Sequence, residues 1–246
     1  MGIYGGLQPE DWQRWGQFTT IKANAAERMA RSLHSNQVIY CSPLVDPYQP
    51  AERERPSMPD ILQAVLSRPP AAFVLQTRGP LILRDVPLLL QVAACTILRI
   101  SFSITTDLED VRRRYEPHCE PMEQRLRAIA ELRNAGLEVY ATLAPLLPCN
   151  PECLAALALE ASGRDLIGDP LHVRGTKPRG ATTRAAAMTI AKRYGETDWF
   201  APEFQAEVVA RIRTVAEVAG HHFAVGPGGF GRLAQKNPIA PLPSRL

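Results

Sequence analysis

The sequence predicts an α/β fold built on parallel strands, and three observations support this prediction. Apolar, strand-like runs alternate with segments of helical periodicity along most of the 246 residues. Helical segments of ten or more residues separate the strands, which is the length that a right-handed crossover between parallel strands requires. Polar residues follow the strand-like runs directly, and in such folds the functional residues lie at the carboxyl ends of strands.

The first half of the chain alternates between the two kinds of element. A helix is predicted over 19–33, where apolar residues recur near a spacing of 3.6, and another over 59–66, whose apolar residues share one side. A third helix is predicted over 85–94. Apolar runs predict three strands in this half, at 38–44, 72–76 and 98–104.

The second half continues the alternation. An amphipathic helix is predicted over 122–134, and Gly136 supplies the glycine that commonly follows a helix C-terminus. The other predicted helices are 151–161, 182–193 and 202–218, and the strands are 137–143, one within 165–173, and 223–226. The proline-rich end, 238–246, is predicted to be irregular.

The turn after the first predicted strand is unusually stiff. It contains Pro47 and Pro50, each of which fixes its own φ and keeps the preceding residue out of the helical region. Asp46 and Gln49 are therefore held extended, with their side chains oriented in advance. This arrangement favours a ligand site at the end of the strand, and the alternative is a surface turn that Asp46 initiates.

Composition excludes few functions. The net charge of +3 is too small, and too evenly spread, to indicate nucleic acid by electrostatics alone. No run reaches the roughly 18 apolar residues of a membrane helix, and the first residues lack the layout of a signal peptide. We therefore expect a cytoplasmic protein without membrane contact. Five cysteines without an export signal favour reduced thiols or metal ligands over disulfides.

Five sequence blocks stand at or beside the predicted strand ends. They are DPYQPAE (46–52), QTRGPLILRD (76–85), RISFSITT (99–106), YEPHCEPMEQRLRAIAELRNAG (115–136) and YATLAPLLP (140–148). Taken in this order they resemble the radical S-adenosylmethionine (SAM) proteins of the spore photoproduct lyase-like group. The resemblance covers roughly residues 19–150 and is specific because all five blocks occur in sequence.

The resemblance implies a fold and two cofactors. Members of that group are partial (βα)6 TIM-like barrels of about six parallel strands, and they bind SAM and a 4Fe-4S cluster for 5'-deoxyadenosyl radical chemistry. Applied to this chain, it implies an N-terminal arm at 1–18, a barrel at 19–226 and an irregular tail at 227–246. We expect Trp12, Trp15 and Phe18 to lie in the arm.

One part of the family pattern has no counterpart. The family carries a C-x-x-x-C-x-x-C motif after its first strand, upstream of the segment that matches 19–33, and this chain has no cysteine before Cys41. Three thiolates are needed to hold the cluster and leave one iron free for SAM. We therefore expect a barrel without the family's first strand and without cluster ligands. Cys149 and Cys153 are the nearest substitute, but no third cysteine follows them.

Eight residues are predicted to bind the cofactor by position in the matching blocks: Asp46, Tyr48, Gln49, Glu52, Thr77, Arg78, Ser103 and Arg125. Tyr48 would stack on adenine, while the carboxylates would accept from ribose or adenine. Ser103 and Arg78 suit the methionine end, since a hydroxyl and a guanidinium both bind a carboxylate. Arg125 would do the same near a helix start, and its alternative is a solvated salt bridge to Glu116 or Glu120.

Other conspicuous residues receive structural interpretations. Cys41 and Cys95 lie in apolar surroundings that indicate core positions, and Cys119 is expected in a surface loop. The run from Gly226 to Gly231 lacks a Walker lysine and is predicted to be a turn or flexible loop. No role is assigned to His221 or His222.

Three functions remain open at this point. The first is a radical SAM enzyme, lyase-like, acting on an unknown substrate, and iron incorporation into a version extended upstream would support it. The second is a non-catalytic barrel that binds a nucleotide or a partner. The third, nucleic-acid binding, is suggested by the family likeness and by two basic runs, 112–114 and 177–179. The sequence leaves the oligomeric state undetermined.

Overall fold

A computed structural model describes residues 22–41, 45–173, 175 and 182–235. Six strands form one open sheet in the order β1-β2-β3-β4-β5-β6, and each neighbouring pair is parallel. The strands are β1 (Val38–Cys41), β2 (Ala72–Thr77), β3 (Ile97–Ser103), β4 (Val139–Leu146), β5 (Leu166–Pro170) and β6 (Phe223–Val225). The predicted α/β class and the parallel pairing are confirmed.

Helices connect the strands along the described chain. They are α1 (Ala25–Ser32), α2 (Ala51–Glu54), α3 (Met58–Ser67), α4 (Val86–Cys95), α5 (Glu109–Tyr115), α6 (Met122–Asn134), α7 (Pro151–Ser162), α8 (Ala186–Tyr194), α9 (Pro202–Val218) and α10 (Gly226–Arg232). Two 3-10 helices, Pro80–Asp85 and Thr197–Phe200, precede α4 and α9. None of the helices within the described residues combines the length and apolar character of a membrane span.

The main core lies between one face of the sheet and the helices. Successive side chains of a strand point to opposite faces, so Leu98, Ile100 and Phe102 of β3 pack into this core with buried residues of the helices. The core includes Leu62, Leu89, Ile129, Leu154 and Ile212, which come from α3, α4, α6, α7 and α9. Burial of these apolar surfaces is what holds the crossovers against the sheet.

The second face of the sheet is covered in part by α10. Leu233, just after this helix, packs with Val74, Tyr140 and Ile167, which lie in the first half of their strands. Tyr40 donates a hydrogen bond of 2.6 Å to the Phe230 carbonyl. The amino half of this face is therefore closed by the end of the described chain.

Arg99 holds the segment after α10 against the sheet. Its side chain is 3% exposed; Nε donates to Glu138 at 3.0 Å and Nη1 donates to the Leu233 carbonyl at 2.8 Å. The Gln235 carbonyl accepts from the same Nη1. One buried guanidinium thus joins β3, the start of β4 and the segment after α10.

The glycine-rich run was predicted to be a turn or flexible loop, and this prediction is wrong. Gly226–Arg232 is α10, and it occupies the first residues of the segment predicted as an irregular tail. The helix forms because its apolar residues have a sheet face to cover, and tertiary packing outweighs the low helix propensity of glycine. Gly229 fits here since a Cβ would lie 2.7 Å from the Ala224 carbonyl oxygen.

The other element predictions hold with shifts at the ends. The helices 122–134 and 202–218 are confirmed at both ends, and Gly136 follows α6 with a φ of 91°. The first predicted helix is shorter, beginning at Ala25, and residues 19–21 and 42–44 lie outside the described chain, as do Trp12, Trp15 and Phe18. Helices α2 and α5, which are only 4 and 7 residues long, were not predicted.

Replacing Arg99 tests whether this buried guanidinium holds the end of the chain on the sheet. Arg99→Met leaves two backbone carbonyl groups without this donor and removes one partner of Glu138, so we expect a loss of about 1–3 kcal/mol in the free energy of unfolding. Urea denaturation measures this loss, and hydrogen exchange should show faster exchange in α10. Arg164→Met is the matched control, because Arg164 is 41% exposed and lies 3.7 Å from the same Glu138; its cost should stay below about 1 kcal/mol.

Candidate functional site

Asp46 binds the loop after β1 to the end of β2. Its carboxylate accepts hydrogen bonds from the Tyr48 amide at 2.9 Å, from Thr77 Oγ1 at 2.7 Å and from the Arg78 amide at 2.7 Å. The first of these bonds closes the turn locally, and the other two come from the neighbouring strand. Asp46 is therefore both the predicted turn initiator and a link between two strand ends.

Gly79 allows the two segments to approach so closely. A Cβ at this position would lie 2.6 Å from the carbonyl oxygen of Tyr48, well inside any normal contact. The backbone of Gly79 is extended, with φ −95° and ψ 118°, so the requirement for glycine is one of space. The loop after β1 rests directly on the first residues after β2.

Glu116 is the centre of a buried polar group that we call the Glu116 cluster, made of Arg78, Thr105, Glu116 and Arg125. Glu116 Oε1 accepts from Arg78 Nη1. Its other oxygen accepts from Thr105 Oγ1 at 2.9 Å and from Arg125 Nη2 at 2.8 Å. The cluster joins the residues that follow β2 and β3 to the loop before α6 and to α6 itself.

The members of the cluster differ in their exposure. The Arg125 side chain is 0% exposed and that of Glu116 is 7% exposed, whereas the Arg78 side chain retains 32%. Arg78 is thus the charged member of the cluster that solvent or a ligand can reach. Arg125 Nε donates to the Glu120 carbonyl at 3.1 Å.

One donor of Arg125 is left over. Within the part of the chain that the structure describes, the buried Nη1 of Arg125 has no hydrogen-bond partner. A buried donor without a partner typically costs about 1–3 kcal/mol. The cluster therefore carries an unused donor directly beside its central carboxylate.

The electrostatics of the cluster follow from its two guanidinium groups. Burial by itself raises the pKa of Glu116, but the charges of Arg78 and Arg125 outweigh it and hold the pKa below its ordinary value of 4.5. Burial lowers the pKa of Arg78, yet the Glu116 carboxylate more than compensates, and the pKa is raised. Glu116 and Arg78 are therefore both charged at neutral pH.

Arg112 shapes the loop that carries Glu116. It is 7% exposed, and its Nη1 donates to the carbonyls of Glu116 at 3.1 Å and Cys119 at 2.6 Å, while Nε donates to Glu109 at 2.7 Å. Within the arginine run 112–114, Arg112 is accordingly not available to a surface partner, whereas the Arg113 side chain is 64% exposed. The second basic run, 177–179, lies outside the described residues.

Hydroxyl groups line the second face of the sheet towards the same end. Ser103 is the last residue of β3, is 2% exposed and lies opposite Thr142 in register. Ser101 Oγ and Thr142 Oγ1 are hydrogen bonded at 2.7 Å. After the strand, Thr106 Oγ1 donates to the Pro148 carbonyl at 2.7 Å, which joins the ends of β3 and β4.

Two predicted ligand residues have structural roles instead. The Tyr48 ring was expected to stack on adenine, but it is 3% exposed and belongs to the main core. Burial, followed by the charge of Asp85, raises its pKa. Because the ring packs in the core, it offers no face to a ligand.

Glu52 was expected at the mouth of the barrel, but it is 4% exposed and caps α3. It accepts from the Ser57 and Met58 amides, both at 2.8 Å, and from Ser57 Oγ at 2.7 Å. Arg84 Nη2 approaches the same carboxylate at 3.0 Å. Gln49, which was predicted to line the same mouth, is half-buried. The Gln49 carbonyl accepts a hydrogen bond from the Glu52 amide at 2.9 Å.

The five cysteines of the sequence are spread over the molecule. Cys41 packs against the core, as predicted, and burial raises its pKa to about 12. Cys95 was also predicted in the core, but it is exposed near the end of α4. Cys119 lies beside the Glu116 cluster, where burial and then the Glu116 charge raise its pKa.

Cys149 is half-buried and Cys153 is exposed at the start of α7. Across the described residues, no three His, Cys, Asp or Glu side chains form a group that could hold a metal ion. Within the described residues, these cysteines therefore do not form a site for an iron-sulfur cluster.

The structure brings four of the eight predicted residues together: Asp46, Thr77, Arg78 and Arg125. Ser103 ends the adjacent strand, and Tyr48, Gln49 and Glu52 serve the local fold. Sequence reasoning missed Thr105 as a site residue and treated Glu116 only as a salt-bridge partner of Arg125. That bridge exists, but it is buried instead of solvated. The signal available was the placement of Thr105 after β3.

A separate open cleft lies at the β6 edge of the sheet, which is the edge opposite β1. Its volume is about 400 Å³, and it is lined by Arg213, His222, β6 and residues of α10. The Glu116 cluster does not contribute to it.

Comparisons with known proteins give relatives but no family assignment. No protein family model matches the chain. It is 25% identical over 138 residues to the uncharacterized protein MJ0683 of Methanocaldococcus jannaschii, covering 56% of this chain and 51% of the relative. It is 28% identical over 166 residues to the uncharacterized protein Rv2578c of Mycobacterium tuberculosis, covering 64% of this chain and 48% of the relative. The chain thus spans about half the length of the curated relatives it matches.

Solved structures share the fold at low sequence identity. Spore photoproduct lyase complexed with dinucleoside spore photoproduct matches with a TM-score of 0.53 and 14% identity, over 82% of this chain and 64% of that one. A mutant of the same lyase with dinucleoside spore photoproduct gives a TM-score of 0.54, with the same identity and coverage. At this identity the likeness concerns the fold alone.

Removing the charge of Glu116 should destabilise the chain in a pH-dependent way. In Glu116→Gln the buried Arg125 loses its counter-charge, which we expect to cost about 3 kcal/mol at pH 7. Because the pKa of Glu116 is lowered on folding, this stability is present above the ordinary value of 4.5 and is lost as the pH falls through the folded value.

The measurement is urea denaturation of wild type and variant at pH 7 and at several values below 4.5. Glu123→Gln is the control, because that carboxylate is 82% exposed in a helical pair with Arg127. A Glu116→Gln deficit that stays constant across this pH range would contradict the assignment of a charged, buried Glu116.

Substitution of Gly79 should separate the loop after β1 from β2. Gly79→Ala forces a Cβ against the Tyr48 carbonyl oxygen, and we expect a loss of about 1–3 kcal/mol in the free energy of unfolding. Gly231→Ala is the control within α10, where nothing lies within 4 Å of the added Cβ. That change should be neutral or stabilising by up to about 1 kcal/mol, since alanine favours a helix. Equal effects of the two substitutions would refute the close approach.

Proposed function

We propose that this chain binds SAM as a radical SAM-type barrel, with the ligand at the carboxyl ends of β1, β2 and β3. The observation that carries the proposal is the Glu116 cluster. It places a partly exposed, oriented guanidinium beside the ends of these strands, in the blocks that carry the family resemblance. Carboxylates are what such a guanidinium binds best, because its donors match both oxygens.

Two observations support this proposal. The sequence resemblance consists of five ordered blocks, and the fold similarity to spore photoproduct lyase concerns backbone geometry at 14% identity. Both point to the same group of proteins. The geometry of the Glu116 cluster adds a third argument, since the cluster was defined from contacts alone.

The residues fit the amino acid end of SAM better than its adenine end. Arg78 provides a cation for the carboxylate, and the neighbouring hydroxyls and Asp46 provide acceptors for the amino group. Tyr48 is buried and cannot stack on adenine in this arrangement. We therefore assign Arg78 the principal contact, with Asp46, Thr77 and Ser103 beside it and Arg125 behind it.

The 4Fe-4S cluster is a different matter. The resemblance implies such a cluster in a full-length form, but the five cysteines here do not supply three grouped thiolates. The described residues therefore do not fit the cluster. What the chain itself contributes is binding and orientation of the ligand and the burial of the charges that hold it.

A second candidate is a barrel that binds SAM or a related nucleotide without radical chemistry. The separation of the cysteines favours this reading for the chain as it stands. The third possibility, nucleic-acid binding through 112–114, is not supported by the contacts, because Arg112 is buried and satisfied by protein groups.

Calorimetry on the 246-residue chain tests the proposal directly. We expect SAM to bind the wild-type protein, and Arg78→Ala to weaken that binding by about 10 to 100 times, the value of one hydrogen bond to a charged group. Arg113→Ala is the matched control, since Arg113 is 64% exposed and pairs only with surface carboxylates.

The outcomes separate the candidates. If SAM produces no binding heat with wild-type protein, the proposal is overturned. Equal affinity for SAM and adenosine would favour the nucleotide-binding candidate, because adenosine lacks the amino acid group that Arg78 recognises. Salt-dependent binding of single- or double-stranded DNA without SAM binding would support the nucleic-acid-binding function instead.

A further inference from the structure

The interaction between Glu116 and Arg78 suggests a second role in the site. Glu116 accepts from Arg78 Nη1 and holds that end of the guanidinium against the buried interior. The side chain of Arg78 has four rotatable bonds, and ordering a free arginine costs about 2 kcal/mol of rotamer entropy. A carboxylate that fixes the guanidinium in advance removes most of that cost from ligand binding.

Glu116 can do this because its own position is fixed. Thr105 Oγ1 and Arg125 Nη2 both donate to Oε2, and Arg112 Nη1 donates to the Glu116 carbonyl. The carboxylate is therefore held by two side chains and the backbone of Glu116 by a third, while Oε1 faces Arg78. All three donor residues are buried: the exposed fraction is 8% for the Arg112 side chain, 0% for the Arg125 side chain and 0% for Thr105.

The orientation leaves part of Arg78 for a ligand. A guanidinium has five N–H groups in one plane; Nη1 is committed to Glu116, and about a third of the side chain remains exposed. A planar group fixed at one end presents a defined edge to a second carboxylate. Such an edge distinguishes ligands that carry a carboxylate from those that lack one.

We propose that Glu116 is the positioning residue that makes this site selective for a ligand with a free carboxylate. The inference rests on the proposed function, because it takes the SAM carboxylate as the partner of Arg78. Glu116 itself does not touch the ligand. It acts by fixing Arg78, so its loss should affect the contribution of the carboxylate and spare the rest of the ligand.

The test compares SAM with decarboxylated SAM, which differs only in the missing carboxylate. Calorimetry on the full chain should show wild-type protein binding SAM about 10 to 100 times more tightly than decarboxylated SAM. In Glu116→Gln the ratio of the two affinities should approach one, while binding of decarboxylated SAM stays near its wild-type value. General destabilisation would weaken both ligands together.

Two further variants complete the design. Glu120→Gln is the control, because its carboxylate contacts Arg53 at 3.3 Å on the surface and neither guanidinium of the cluster. Thr105→Val removes one of the three groups that hold Glu116, and it should lower the affinity ratio by less than Glu116→Gln does. It also provides the measurement if Glu116→Gln fails to fold.

Failure of this inference is distinguishable from failure of the proposed function. If neither ligand binds wild-type protein, the function is wrong and the inference falls with it. If SAM binds and Glu116→Gln and Thr105→Val keep the full preference over decarboxylated SAM, Glu116 has no positioning role and the function stands. A reduced ratio in Glu120→Gln of the same size would also overturn the inference.

Discussion

The burial of one carboxylate between two guanidinium groups organises the carboxyl end of this sheet. Glu116 comes from the loop before α6, Arg78 from the segment after β2 and Arg125 from α6. Arg78 lies 38 residues from Glu116 along the chain, so its meeting with the other two residues depends on the parallel sheet and its crossovers. Removing Glu116 leaves both guanidinium groups without this counter-charge, and for the fully buried Arg125 this loss is costly. The cluster and the fold therefore require each other.

The two ends of the second sheet face have opposite properties. Towards the amino ends of the strands, Leu233 and Arg99 close the face with apolar packing and hydrogen bonds to backbone carbonyls. Towards the carboxyl ends, the side chains are hydroxyls and charges, among them Ser103 and the Glu116 cluster. A packed end and a polar end on one face are typical of α/β proteins, in which stability and ligand binding occupy different ends of the strands. The proposed site lies at the polar end of this face.

Sequence reasoning reached the fold class and much of the cluster for identifiable reasons. Long amphipathic helices such as α6 have strong periodicity, and strand ends are marked by polar residues such as Thr77. It failed where tertiary packing decides the outcome. The glycine-rich α10 has little helix propensity of its own, and only the sheet face explains it. Tyr48 has a polar hydroxyl and follows a strand, yet its ring packs in the core. Local sequence contains neither fact.

Glu116 illustrates the same limit within the site. From sequence, it was one of two acidic residues near Arg125, and a solvated pair was the ordinary expectation. Its importance comes from Arg78, which is 38 residues away along the chain, and from Thr105 on a different strand end. A residue that acts by fixing another has no chemical signature of its own, so its role becomes visible only through contacts. For this reason the fold likeness to spore photoproduct lyase cannot by itself define the chemistry of the chain. In the proposal made here, the ligand is selected by the edge that Arg78 presents, and that edge depends on the contact of Arg78 with Glu116.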